Sequence, residues 1–456
     1  MRVDPAQLPL TLRFTAFVAS RTAFLLCVCC GLPHVSSGAE PPQASFVVPR
    51  TAARRLTTPE QVPVPPPRPG MDLTTLEQLA LANNPSIARA AALVGAARGN
   101  WIQVGLRPNP SVGYEGQQLG SGGLAEQQGV TVSQEFVRGG KLRWNRSVAA
   151  NEVRKAEQQL AAQTQRVLTD TRSAFAEALL AQRQIDLSLE LARIADQGLK
   201  TATDIARSLE GSRVDVLQAE LEAENAGIIV QDARNRHHAA WQSLAAVVGQ
   251  PTMPPQALAG DVYAAPRAFD QREVLTLLLS TSPEIATAAT EVDRARAAVG
   301  RARVERQPNV AVQGLMNWQD NGIGGKPDGA VGVSVPIPLF DRNQGGVMRA
   351  QYELAASERA FSQLELDLQE RLAPVYERYA NARYRVDRYR SNILPRAAES
   401  LDLTGKLYAA GEINFVSILT VQRTFTQTNF SYLTALRELR VAEAQLDGFL
   451  LSGSLR

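Results

Sequence analysis

The chain is written twice. Asn84-Pro85-Ser86 opens a helical stretch that closes at Arg107-Pro108-Asn109-Pro110, and Ser282-Pro283-Glu284 opens one that closes at Gln307-Pro308-Asn309-Val310. The second set of landmarks follows the first by 198 to 200 residues. Gly211-Ser212-Arg213-Val214-Asp215-Val216-Leu217 is echoed 200 residues later by the segment from Gly411 to Leu419. A period this long marks a duplicated half-molecule, not a solenoid unit of about 20–50 residues. Each half is expected to run short helix, helix, strand pair, very long helix, turn and return helix.

Composition agrees with long packed helices. Hydrophobic residues make up 45% of the chain but aromatic ones only 6%, and alanine carries much of the difference. The 48 basic and 45 acidic residues nearly cancel and interleave along the helices, the pattern of solvated faces, not of a nucleic-acid surface. Residues 1–39 read as an export signal: Arg13 and Arg21 precede the apolar run from Thr22 to Cys30, and Ser37-Gly38-Ala39 offers a cleavage site. That run is about half the ~20 residues a membrane span needs. All three cysteines, Cys27, Cys29 and Cys30, lie inside it, so the processed chain would have no thiol ligand and no disulfide. Acylation of one of them is disfavoured, because Leu25-Leu26 and Val28 are not the small residues wanted before a lipidated cysteine. Residues 40–71 form a stiff leader with nine prolines between positions 41 and 70. Two repeats follow, at 72–268 and 269–452.

After Pro108 and Pro308 the apolar period changes from 3.6 to 2, so these prolines mark helix-to-strand entry. Val112 and Tyr114, then Val130, Val132 and Phe136, alternate with polar residues. Val310, Val312, Met316 and Trp318 do the same in the second half, followed by Val331, Val333, Val335, Ile337 and Leu339. The pattern predicts one hairpin per half and four half-buried strands in all. Proline is absent from Leu142 to Leu209, where a rod of roughly 100 Å is expected. A second rod runs from Val347 to Ala410, interrupted at Pro374 and Pro395. Thr74 or Thr75 is expected to cap the first short helix.

Four strands cannot close a membrane barrel, since the smallest have about eight, and an open apolar sheet leaves backbone groups unsatisfied in lipid. Copies of the same chain must complete it. The duplication, the Asn/Ser-Pro helix starts, the Pro-Asn steps into strands and the glycine turns at 211 and 411 together resemble the TolC-type outer-membrane efflux channels. The resemblance implies a mainly α fold with a small transmembrane β part: a homotrimer with a long α-helical barrel, whose two β-hairpins per chain complete a twelve-stranded β-barrel. It implies outer-membrane lipid, a periplasmic adaptor and an inner-membrane, proton-driven pump as partners, with no cofactor and no enzymatic role. Gln134-Glu135-Phe136-Val137-Arg138-Gly139-Gly140-Lys141 resembles the strand exit of the heavy-metal (CzcC-like) branch, which favours metal cations over drug or organic-solute export or a type I secretion duct. A structural coiled-coil scaffold would leave the two hairpins unexplained.

Gly211 and Gly411 are the expected periplasmic tip turns. Asp215 and Glu412 are candidate gate charges, because the acidic positions of better-known relatives fall on Ser417 and Thr420 here. Helix-dipole stabilisation accounts for Asp215 equally well. His237 and His238 are adjacent on a helix and point apart, which is not metal-ligand spacing.

Overall fold

The computed structural model describes residues 70–119, 125–207, 212–320 and 326–455, with side chains left undescribed at 118, 119, 125, 126, 319 and 320. The signal, its cysteines, the leader up to Pro69 and Gly211 lie outside the described residues.

In the first half, α1 (Leu73–Asn83) and α2 (Pro85–Gln103) lead into β1 (Ser111–Leu119) and β2 (Ala125–Phe136), followed by α3 (Lys141–Arg207) and α4 (Arg213–Val248). The second half repeats this with α5 (Gln271–Thr281), α6 (Pro283–Val304), β3 (Val310–Asp320), β4 (Asp328–Ser334), α7 (Gln344–Arg388), α8 (Leu394–Ala409) and α9 (Phe415–Asp447). The sheet order is β1-β2-β3-β4, antiparallel throughout.

The caps repeat with the fold. Asp72 Oδ1 accepts from the Thr75 amide at 3.0 Å, and Asp270 Oδ1 from the Arg272 and Glu273 amides at 2.9 and 3.1 Å. The first cap is therefore Asp72, not Thr74 or Thr75: an acceptor just ahead of the first turn reaches orphan amides that a side chain inside the helix does not. Asn84 and Ser282, both buried, cap α2 and α6 with proline at the first helical position.

Three of the four helical rods are made in two pieces. α2 stands on the end of α4, where Asn84 Nδ2 donates to the Val247 carbonyl at 2.7 Å. α6 stands above the end of α9, where Leu278, Ile285 and Leu368 cluster with Phe449 and Leu450. The α7–α8 rod bends through a π-helical turn, Tyr389–Ile393. α3 alone is continuous, 67 residues or about 100 Å. Contacts order the rods α2–α3–α6–α7 near the sheet and α4–α3–α9–α8 away from it. Each rod thus ends in one strand, and rod order equals strand order.

Two expectations about prolines change. Pro374 sits inside an unbroken α7. The disturbance comes one turn ahead of Pro395, whose missing N–H and bulky ring a widened π turn accommodates. β4 stops at Ser334, so Val335, Ile337 and Leu339 lie beyond the ladder, where Pro336 and Pro338 have no N–H to give.

The core is a belt at mid-length, where α1 and the 249–270 connection pack on α3, α4, α7 and α9 around Trp241, Tyr379, Leu244 and Leu436. Trp241 Nε1 donates to Met253 O at 2.9 Å, and buried Glu443 accepts from the Arg267 amide and from Arg440. Asn84 joins the two pieces of one rod, capping α2 and tethering it to the end of α4. Asn84→Ala should cost about 1–3 kcal/mol, losing cap and tether together, whereas Asn84→Ser keeps the cap and should fall between alanine and wild type. Denaturant melts of the three proteins check this order.

Candidate functional site

The register sorts the sheet into two chemically different faces. Val112, Val132, Gly314 and Val331 form one cross-strand row, and Tyr114, Val130, Met316 and Gly329 the next. Val312 and Val333 continue that face. The opposite face carries Ser111, Ser133, Gln313 and Gly332, then Gly113, Thr131, Leu315 and Ala330, with Glu115, Glu135 and Asp328. Outward apolar and inward polar alternation is the arrangement of a barrel wall in lipid. The apolar face is bare in one chain: Val331 is 81% exposed and Val333 66%.

Tyr114 and Trp318 meet at 5.9 Å between ring centroids beside a bulge at Gln128/Gly129. Phe136 closes β2 at the helix end, and Phe340 lies beyond β4. From Val310 to Trp318 the strand rises about 26 Å, close to the ~25 Å apolar band of such barrels. No helix of the described residues is long and apolar enough to cross a membrane.

At the helix end of the sheet, Pro108 lies between α2 and β1, and its carbonyl accepts from Gln134 at 2.9 Å. Pro308 lies between α6 and β3, and the adjacent Asn309 donates to Glu135 at 2.7 Å and accepts from the Arg138 amide at 3.3 Å. Gly139 and Gly140 turn the chain into α3 with φ of 70° and 67°, and a Cβ at Gly139 would stand 2.5 Å from Gln307 Oε1.

The opposite end carries the turns. Gly411, at φ 74°, closes α8 as Glu412 N–H reaches the Leu407 carbonyl at 3.0 Å and Gly411 N–H reaches Tyr408 at 3.0 Å. Ser212 caps α4 and Asn414 caps α9. Ala202, Ala219, Tyr408, Phe415, Ile418 and Leu419 gather there into a small apolar cap. The structure separates the two candidate gate charges: Glu412 is fully on the surface, while Asp215 is half-buried in the first turn of α4. Asp215 faces Tyr408, a neighbour that the sequence pattern does not signal. Burial, and then the Asp215 charge, push the Tyr408 phenol above the ordinary tyrosine range.

His237 lies half-buried against Trp241, at 6.5 Å; burial, then His238, lowers its pKa. His238 shares a hydrogen bond with Gln242. Among the described residues no group of three His, Cys, Asp or Glu could hold a metal ion.

Rods ending in strands, with a one-sided apolar sheet, are the fold of outer-membrane efflux channels. The chain matches the family described as Outer membrane efflux protein twice, over residues 76–250 and 274–450. It belongs to that family. It is 26% identical over 420 residues to the cobalt-zinc-cadmium resistance protein CzcC of Cupriavidus metallidurans, covering 89% of this chain and 97% of that protein. Its fold is similar to the crystal structure of CusC, with a TM-score of 0.70 at 18% identity over 84% of this chain and 92% of that one. It is also similar to the open MtrE outer membrane channel of Neisseria gonorrhoeae, with a TM-score of 0.69 at 18% identity over 84% and 89%.

The Tyr408 shift gives a prediction. The folded state holds the phenolic proton to a higher pH than the unfolded chain. This group's contribution is therefore complete below the ordinary tyrosine value and is lost as pH rises through the raised one. Subtracting the ultraviolet titration of Tyr408→Phe from that of wild type should isolate a late-ionising phenol. Asp215→Asn should bring it partly down. A Tyr408 that titrates like free tyrosine would contradict the packed tip.

Proposed function

We propose that three copies of this chain join head to tail into the outer-membrane channel of a tripartite efflux system. The channel would take its cargo from a periplasmic adaptor and an inner-membrane, proton-driven pump. The observation that carries this reading is that the same two sides of the chain are open at every level. β1, α2 and α4 form one side; β4, α7 and α8 form the other. Twelve exposed large apolar side chains lie on α2, α4, α7 and α8, against two, Leu189 and Val416, on α3, α6 and α9. Leu217, Leu221 and Ile228 give α4 a stripe, and Leu403 and Leu407 give α8 another. A contact between unlike sides closes into a ring when its rotation allows, and three copies bring twelve strands.

Heavy-metal cations are the proposed cargo class. The name of the Cupriavidus relative supports this, and so does the wall itself. The four strands carry Glu115, Glu126, Glu135, Asp320 and Asp328 but neither lysine nor arginine. The described carboxylates among them, Glu115, Glu135 and Asp328, take hydrogen bonds from neutral amides of Gln117, Asn309 and Asn317. A wall charged with one sign raises the local concentration of the opposite ion.

In planar bilayers under a potassium chloride gradient, the wild-type channel should give a cation-selective reversal potential. The Glu115→Gln/Glu135→Gln/Asp328→Asn variant should lose most of it. Selectivity for anions, or a neutralised wall that behaves as wild type, would refute the cation reading and favour organic-solute export.

The tips are the proposed adaptor contact. A Cβ at Gly411 would meet nothing within 4 Å, so Gly411→Val acts only through its positive φ, at about 1–3 kcal/mol. Membrane trimers should persist while efflux is lost. Full resistance in cells carrying this variant together with Gly211→Val would remove the tips from the docking role.

A further inference from the structure

We propose that the helix-side rim of the sheet is a belt that binds the phosphate groups of phospholipid heads. The chain builds its anchor twice, as Phe136-Val137-Arg138 and Phe340-Asp341-Arg342. This rests on the reading that the apolar face of the sheet meets lipid.

Charge changes abruptly at this level. The strands have no basic residue, yet beyond the helix-side end of each stands an arginine: Arg107 four residues before β1, Arg138 two after β2, Arg306 four before β3 and Arg342 eight after β4. All four are exposed. None donates a side-chain hydrogen bond or joins an ion pair among the described residues, which form twenty such pairs. Arginine inside the apolar band is costly, whereas at its edge the side chain reaches the head groups.

The aromatic half of the anchor is equally unpartnered. Phe340 is 90% exposed, more than any other large apolar side chain of the described residues, and Phe136 is half-exposed. Phe340 continues the bare apolar stripe of Val331, Val333, Ile337 and Leu339. A ring at the acyl boundary and a guanidinium two residues, at most about 7 Å, farther along match the order of acyl chain and phosphate. Guanidinium binds phosphate oxygens in a fork.

A neighbouring copy would bring the same rim, whose carboxylates each already hold a donor of their own: Glu305 holds Lys141 and Arg301, Asp341 the Asn343 amide, and Glu135 Asn309. Three copies would gather twelve such arginines around the helix-side rim, which suits an anionic leaflet.

The test uses the full-length trimer in mixed micelles of phosphatidylglycerol and phosphatidylcholine, with bound lipids counted by native mass spectrometry. Wild type should retain phosphatidylglycerol preferentially. Arg138→Gln/Arg342→Gln should cut that preference about tenfold, while Arg193→Gln on α3, away from the rim, leaves it unchanged. In a second measurement, the indole fluorescence that Phe340→Trp adds in vesicles should be quenched by lipids brominated near the head group. An unchanged preference in the double variant, or an added indole signal that brominated lipid does not touch, would overturn the belt while leaving the channel intact. A trimer that takes up no lipid at all would overturn both the belt and the channel.

Discussion

The fold is organised around backbone groups that one chain cannot satisfy. β1 and β4 each pair on one side only, and a row of unpaired N–H and C=O groups is not tolerated in hydrocarbon. Prolines stand where each open edge meets the helices: Pro108 and Pro110 ahead of β1, Pro336 and Pro338 after β4. They stop the ladder at the point where the rods take over. Because each strand continues one rod in the same order, the proposed pairing of edges between neighbouring copies would also bring α2 and α4 against α7 and α8. One closure would satisfy backbone hydrogen bonds in the sheet and bury apolar side chains along the helices.

The two-piece rods follow from the duplication. A rod such as α9–α6 returns from the tip and then needs a fresh start at mid-length, which Ser282-Pro283 gives it. Asn84-Pro85 does the same for α4–α2. The large aromatic and aliphatic side chains concentrate at this level, around Trp241 and Tyr379, and Glu284, held by Arg371 of its own half, ties the two halves together through Arg166. Small residues elsewhere let α3 pack on five other helices. That explains why so little of the chain is aromatic.

Much of this was legible in the residues because it depends on period. A switch from 3.6 to 2 at Pro108 and Pro308 located both hairpins, and absent prolines located α3. What period does not encode was missed. Asp72 caps α1 because of backbone geometry one residue outside the pattern. The alternation from Val331 to Leu339 runs past the true end of β4, since alternation reads side chains while Pro336 and Pro338 act through missing amides. Asp215 and Glu412 look equivalent beside two glycine turns, yet only the Asp215 charge bears on Tyr408, an influence between segments nearly 200 residues apart that period does not encode. The one-sided charge of the strands was readable all along, once strand residues are counted by sign.

Head-to-tail closure through unlike edges is the central claim, and directed cross-linking tests it most directly. All three cysteines lie within the first 30 residues, so the folded region offers a thiol-free background. Ser111→Cys on β1 and Gly332→Cys on β4, made separately and together, can be treated with a short bifunctional maleimide in the membrane. The account predicts no covalent species from either single variant, and covalent dimers and trimers, with nothing larger, from the pair. Dimers from a single variant, or a ladder continuing past three chains, would contradict it.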